Sequence, residues 1–268
     1  MGRLAAATQA ATLSRRQLPV LTSTRAISEL TAKQAGQGYP VAIRAVVTYA
    51  DMKLGHAFIQ DATGAQFVYF DPASSQPQLK VGDFAEVRGV TTPGDFSSCI
   101  QGEKFRVLGQ AALPSPKRLP FDQLITGRWV CYWAEVKGTI RSGNRAAGSL
   151  ELNLAGDGGR ILVLMPEYPK WRALLGARVA MRGPLSALYN DHRQARGVKL
   201  FVPGPQFITV LKPSLRDAYS APAIHPSQIG QYDVKSDLEA FTRVRGTVTA
   251  LEPGPVVYVS DADSTVAA

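Results

Sequence analysis

Histidine and cysteine are scarce in this 268-residue chain, at three and two residues. His56, His192 and His225 stand far apart, and none has a partner at metal-ligand spacing, so a histidine-built metal centre is excluded. All three fall in predicted turns, as surface histidines. Cys99 and Cys131 are too few for a disulfide framework. They read as two free, half-buried thiols, with one bridge between adjacent modules as the alternative. No apolar run approaches the roughly 18 residues of a membrane-spanning helix. The first seventeen residues lack the leucine-rich core of a secretory signal. They read as a degraded signal, a tail, or the interior of a longer protein. No Gly-x-Ser-x-Gly elbow and no Gly-x-x-x-x-Gly-Lys loop occurs, and with them go the commonest hydrolase and nucleotide-binding signatures. No constellation for catalysis remains, so the chain reads as a binding protein without a cofactor.

What the chain does have is repetition, and repeats mark re-used structural units. Residues 43–48 read Ile-Arg-Ala-Val-Val-Thr and residues 244–249 read Val-Arg-Gly-Thr-Val-Thr. Each run reaches a second strand and then an acidic turn, Asp61-Ala62-Thr63-Gly64 in the first copy and Asp261-Ala262-Asp263-Ser264 in the last. A middle copy starts at Val136-Lys137-Gly138-Thr139-Ile140. Recurrence of Asp61 as Asp261 points to a side chain that bonds turn amides, and not to catalysis. Gly64 is expected at positive φ there. A second repeat pairs Val81-Gly82-Asp83, followed by Val87-Arg88-Gly89, with Leu175-Gly176-Ala177, followed by Met181-Arg182-Gly183. In both, the glycines are seven apart. One turns the chain into a strand and the other breaks or bulges it.

Around these repeats the strands are short and turn-rich, in keeping with 24 Gly and 18 Pro. Val41, Ile43 and Ala45 alternate with Ala42, Arg44 and Val46. Phe67 and Tyr69 share one face of a third strand, Val68 and Phe70 the other. Ser23 or Thr24 is placed to cap one short helix running through residues 27–34 and ending at Gly36. Proline-rich hinges follow at Leu113-Pro114-Ser115-Pro116 and Ala221-Pro222-Ala223. The expected fold is all-β: tandem small five-stranded barrels of OB type with short connecting helices. An SH3-like barrel or a small sandwich is the alternative. The expected divisions are an N-terminal extension at 1–38, a first barrel at 39–113, a second at 114–214, and a hinge with an incomplete third module at 215–268. Since only its opening hairpin is present, the third module implies a truncated chain, or strands that join the second barrel.

Charge is uneven. Residues 121–214 carry 13 basic and 6 acidic residues, whereas 41–120 carry 8 and 7 and 215–268 carry 4 and 7. The basic stretch also holds Trp129, Trp133 and Trp171. Nucleic-acid binding is one reading of that combination, with Phe67, Tyr69, Tyr132 and Trp133 as stacking candidates and Arg160 and Arg182 on phosphates. Tryptophans in the core beneath a solvated basic surface is the simpler reading. A glycan-binding module would use the same aromatics without the charge. Gly156-Asp157-Gly158-Gly159-Arg160 reads as a hairpin turn before it reads as a phosphate cradle, and Asp191-His192-Arg193 as a solvated loop tip.

Leu18-Pro19-Val20-Leu21-Thr22, residues 38–49, Phe58-Ile59-Gln60-Asp61-Ala62-Thr63-Gly64, Pro93-Gly94-Asp95-Phe96 and Val198-Lys199-Leu200-Phe201-Val202-Pro203 together resemble the sensor region of certain bacterial membrane histidine kinases. The resemblance spans about residues 18–262. It implies tandem OB-like modules on the periplasmic side of the inner membrane, followed by a membrane helix, a dimerising helix and a kinase domain. It also implies an unknown small-molecule, glycan or protein signal and a homodimer in the longer protein. Ala45 departs from the pattern, standing where glycine is usual.

Overall fold

The structure is a computed structural model describing residues 18–74, 76–146, 148–156, 158–190, 192, 194–214, 223–229, 243–251 and 256–267. The first seventeen residues, Asp157, Asp191, Arg193, the hinge at 221–222 and all of 230–242 lie outside that description, with the expectations that fell on them. The chain forms two compact units. One comprises Met1–Pro116 with Trp129–Trp133 and Tyr189–Ala195. The other comprises Lys117–Arg128, Ala134–Leu188 and Arg196–Ala268. Among the described residues, no helix is long and apolar enough to cross a membrane.

In the first unit, α1 (Thr24–Ser28) and α2 (Ala32–Ala35) precede five strands: β1 (Pro40–Asp51), β2 (His56–Gln60), β3 (Ala65–Tyr69), β4 (Asp83–Thr92) and β5 (Cys99–Gln110). The expected single helix is two. Thr31 accepts from the Gln34 amide while the Gln34 side chain returns to the Thr31 amide, a capping box that restarts the helix. β1 pairs antiparallel with both β2 and β4, β3 pairs parallel with β5, and β5 pairs with β4, so the strands close in the order β1-β2-β3-β5-β4. This is the OB arrangement expected. Ile43, Val47, Ile59, Val68, Val87 and Ile100 fill the interior at 0% exposure. Each such side chain contributes roughly 1.5–3 kcal/mol by leaving water.

The second unit repeats this connectivity. A short helix, α3 (Phe121–Leu124), precedes β6 (Trp133–Ala146), β7 (Ser149–Gly156), β8 (Gly159–Pro166), β9 (Arg178–Tyr189), β10 (Ala195–Phe201) and β11 (Ile208–Lys212). The sheet runs β10-β8-β7-β6-β9-β11, with β10 also pairing β9 and β8 pairing β10 in parallel. Together β10 and β11 do the work of β5. The break between them falls at Val202-Pro203-Gly204-Pro205, where two prolines have no N–H to give a ladder. Turn 156–159 is the expected hairpin, with Gly156 opposite Gly159.

A third meander follows. β12 (Ala223–Ile224) pairs β13 (Arg243–Val244), and β14 (Thr247–Leu251), β15 (Val257–Ser260) and β16 (Thr265–Ala267) form a separate three-stranded sheet among the described residues. The three modules share their details. In each, the first strand slips register at one place: Val47/Tyr49, Ile140/Ser142 and Val248/Ala250. In the first two, a lead-in residue bridges the start of that strand in parallel, Leu21 to Val41 and Lys117 to Ala134, and in the third Ala223 pairs in parallel with Arg243, just ahead of β14. In each, the turn after the second strand is tied to the start of the lead-in helix. Asp61 takes the Thr24 amide and hydroxyl, and Asp261 lies 3.2 Å from His225 Nδ1. The Phe121 ring lies where side chains at Gly158 and Gly159 would go.

Both glycine pairs have separable reasons. Gly82 and Gly176 sit at φ +91 and +77, each donating to the first strand of its barrel, at Val47 and Ile140. Gly89 and Gly183 are needed for space: a Cβ there would lie 2.0 Å from the carbonyl oxygen of Gln101 or Phe201. Gly64 does not take positive φ. It is confined instead by Thr24 Oγ1, 3.0 Å from where its Cβ would be.

Candidate functional site

Two outer faces of the first barrel carry groups able to bind. One is aromatic and spans β1–β3. Past the bulge in β1, Tyr49 meets His56 and Phe58, both of which meet Phe67, and Tyr69 continues the row. His56 stacks between Tyr49 (5.8 Å) and Phe67 (5.5 Å), while Phe58 meets Phe67 edge-on at 4.8 Å. His56 is thus a half-buried member of a strand and not the turn residue expected. Phe58 is 0% and Tyr49 6% exposed. Burial, and then Asp51, push the Tyr49 hydroxyl up to about 12. A face this covered is packed against itself and does not offer open rings to bases. At its rim the Tyr69 and Tyr189 hydroxyls both donate to Asp95 Oδ2, at 3.2 and 3.1 Å, and Phe96 stacks on Tyr189. Burial raises both phenols above their ordinary value, and the Asp95 charge adds to it.

The other face is basic and lies on β1, β4 and β5. Arg44, Glu86 and Arg106 occupy one row across the three strands, and Arg88 and Lys104 the next. Glu86 is 6% exposed, yet the guanidiniums that cover it are open, at 65% for Arg44 and 63% for both Arg88 and Arg106. Arg88 donates to Oε1 at 2.6 Å and Arg106 to Oε2 at 2.8 Å, while Arg44 stands 3.9 Å away. Those hydrogen bonds hold the Glu86 carboxyl below its ordinary value. Three arginines therefore surround one carboxylate, and Lys104 adds a fourth cation to the face. Even counting Glu103, exposed beside Lys104, the face keeps a net positive charge.

The second unit repeats the device. Glu135 on β6, its side chain 6% exposed, accepts from Arg118 and Arg182, each at 2.9 Å. The same hydrogen bonds, Arg118 first, hold its carboxyl low against the opposing effect of burial. Arg88 and Arg182 are equivalent, each standing just before the glycine that touches the neighbouring carbonyl.

The six candidate binding residues, two in the first module and four in the second, fall in different surroundings. Phe67 and Tyr69 belong to the aromatic row. Trp133 is 2% exposed and its backbone amide donates to Gln60 Oε1 at 2.9 Å, so it is core and not a stacking platform. Tyr132 is half-buried, edge-on to Trp129 at 5.4 Å. Arg160 is exposed beside the β7–β8 turn, and Arg182 serves the Glu135 cluster. Trp171 is also buried, as the simpler reading of the tryptophans expects. Missed were Arg44, Glu86, Arg88, Arg106, Arg118 and Glu135. The available signal was a charge at every second residue, Glu86-Val87-Arg88 and Lys104-Phe105-Arg106, which puts the charges of each run on one strand face.

Neither cysteine is in a disulfide, both are buried and not half-buried, and burial pushes the Cys131 thiol up. Among the described residues, no group of three or more histidine, cysteine, aspartate or glutamate side chains is placed to hold a metal.

Neither a protein-family model nor a curated protein matches the sequence. Among solved structures, the chain is similar to a murine DNA-binding protein bound to double-stranded DNA, at 12% identity and TM-score 0.30 over 66% of this chain and 99% of that one. It is similar to an OBody bound to hen egg-white lysozyme, at 19% identity and TM-score 0.29 over 37% of this chain and all of that one. A third is an aspartyl-tRNA synthetase from Entamoeba histolytica, at 10% identity and TM-score 0.31, of which the chain covers 23% and which covers 38% of this chain. Likenesses this slight carry nothing about function.

Proposed function

We propose that the chain is a non-catalytic OB-type binding protein that holds the phosphate backbone of a single-stranded nucleic acid on its arginine faces. One observation carries this reading: each barrel gathers exposed arginines around a buried glutamate on its outer wall, with Arg88 and Arg182 in equivalent positions. A guanidinium has five donors, and a carboxylate shared among several leaves most of them for another anion. The glutamate fixes the planar forks in advance, so less rotamer freedom is lost when phosphate binds. Rigid strands set their spacing. A platform of this kind follows charge and not base sequence.

The test is anisotropy of a labelled single-stranded oligonucleotide across salt concentrations. Log affinity should fall linearly with log salt, by about 0.7 per phosphate neutralised. Arg88→Ala with Arg106→Ala should weaken binding and flatten that slope by roughly 1.4. Lys53→Ala, at the exposed β1–β2 turn, should change neither. No affinity at low salt, or a slope untouched by the double variant, overturns the reading.

Within a longer signalling protein of the kind the resemblance implies, the same faces would receive an anionic signal on the periplasmic side. Glycan binding is favoured by a different observation, the Asp95 carboxylate among Tyr69, Tyr189 and Phe96. Oligosaccharide binding abolished by Asp95→Ala, with the arginine variants silent, would establish it instead.

A further inference from the structure

One position on the leading strand carries a cation in every module. It lies three residues past the lead-in bridge, at Arg44 after Val41 and at Lys137 after Ala134. It also lies three residues before the register slip, which begins at Val47 and at Ile140. By the slip that begins at Val248 it falls on Arg245 in the third module. All three residues are exposed. Pairing with a carboxylate does not account for the recurrence. Arg44 stands 3.9 Å from Glu86, but the residue in the place of Glu86 in the second barrel, four past the turning glycine, is Ala180. What the first two copies share is a groove between the lead-in and the leading strand. In the first barrel Thr22 and Ser23 line it with Arg44, and Phe84 of β4 adds a ring. In the second, residues 118–121 line it with Lys137, and the ring is that of Phe121. The turn after the second strand lines both, through Thr63 and Gly156.

Each groove thus sets a phenyl ring and a cation in one lining. Val46 faces Phe84 and Arg44 faces Glu86, so Arg44 and Phe84 are diagonal neighbours across the β1–β4 ladder. Such neighbours stand roughly 7–8 Å apart, a span that one nucleotide covers from base to phosphate. Phe121 is held against the glycine turn at 158–159. Both rings are half-buried, and neither meets another aromatic ring among the described residues, unlike the packed row on β1–β3. A ring so placed can stack on any base, and a cation beside it attracts the phosphate. We propose that each groove takes one nucleotide of a single strand, its base on Phe84 or Phe121 and its phosphate on Arg44 or Lys137. This rests on the nucleic-acid reading above and adds base contacts to it: the arginine faces hold backbone, and the grooves hold bases.

Two labelled strands of equal length, an oligothymidylate and its abasic counterpart, test it by anisotropy. The whole chain should bind the thymidylate strand about tenfold more tightly. Phe84→Leu with Phe121→Leu keeps the apolar bulk without the rings and should bring the two strands level. Should Phe121→Leu unfold the second barrel, Phe84→Leu alone should still narrow the preference. Phe84→Trp should retain it, and the added indole emission should be quenched by the thymidylate strand and not by the abasic one. Equal binding of both strands by the wild type overturns the grooves and leaves the arginine faces standing. So does a preference that survives the loss of both rings. Binding of neither strand overturns the nucleic-acid reading and the grooves together.

Discussion

Gly89→Ala parts β4 from β5 and melts the first barrel well below the wild type. The added methyl would lie 2.0 Å from the Gln101 oxygen, 2.9 Å from its carbonyl carbon and 3.0 Å from the Gly102 Cα. All three are backbone, so no side chain can swing aside. Relief requires the two strands to separate along a ladder that runs from Asp83 to Thr92. A cost of about 3 kcal/mol is expected, among the larger single-residue effects. For a unit of this size that corresponds to a fall of roughly 10–20 °C in the midpoint. Gly38 provides the contrast. It sits at φ +72 with nothing within 4 Å of its would-be Cβ, so Gly38→Ala carries only the left-handed backbone penalty of about 1–2 kcal/mol. Thermal unfolding of both variants decides: a Gly89→Ala protein that melts no lower than Gly38→Ala would show that the seam yields. Gly183→Ala repeats the trial in the second unit, against the Phe201 oxygen.

Asp61→Ala is the second large loss. Its carboxylate accepts from the Thr24 amide and hydroxyl, the Thr63 amide and hydroxyl, and the Gly64 amide, at 2.6–2.9 Å. One side chain thus holds a turn and pins the lead-in helix to it. Removing it strands several donors at once, and about 2–3 kcal/mol is expected for hydrogen bonds to a charged group. Asp61→Asn keeps the shape but cannot accept as many, and should fall between. The pH dependence has a definite sign. Burial alone would raise this carboxyl, but the Thr63 and Thr24 hydroxyls and amides outweigh it and hold it below its ordinary value. A carboxyl lowered by folding contributes stability that is complete above the unfolded value of about 3.9 and fades as pH drops through the folded one. Wild-type barrel one should therefore lose stability below about pH 4 more steeply than Asp61→Asn. Acid melts of equal steepness would remove Asp61 from the account.

Much of this was legible in residues that must obey local rules. A glycine at positive φ, an aspartate in a turn and a valine on the inner side of a strand each report their own backbone. Hence the repeats, the barrel type and the hairpins could be read directly. The helix through 27–34 could not, because a capping box at Thr31 and a helix interior look alike until the Gln34 side chain is seen to turn back. The site was less legible still. Phe67 and Tyr69 are on the face expected, but whether an outer face is open depends on what covers it, and that is set by residues far along the chain. Trp133 shows the same thing: its bond to Gln60 joins positions 73 apart. The arginine clusters were hidden because Glu86 sits among basic residues that sum to a nearly neutral stretch. Charge counted along the chain averages away what three neighbouring strands bring together.

The interruption at Pro203-Gly204-Pro205 has a practical side. In the first barrel, β5 is one unbroken strand, and an insertion anywhere within it would shift the pairing of everything beyond. In the second barrel the corresponding strand already comes in two pieces, β10 and β11, each with its own register. A peptide tag or reporter spliced beside Gly204 would displace neither piece. That makes the second barrel the one to re-engineer, as a circularly permuted or split protein whose halves are brought together on demand.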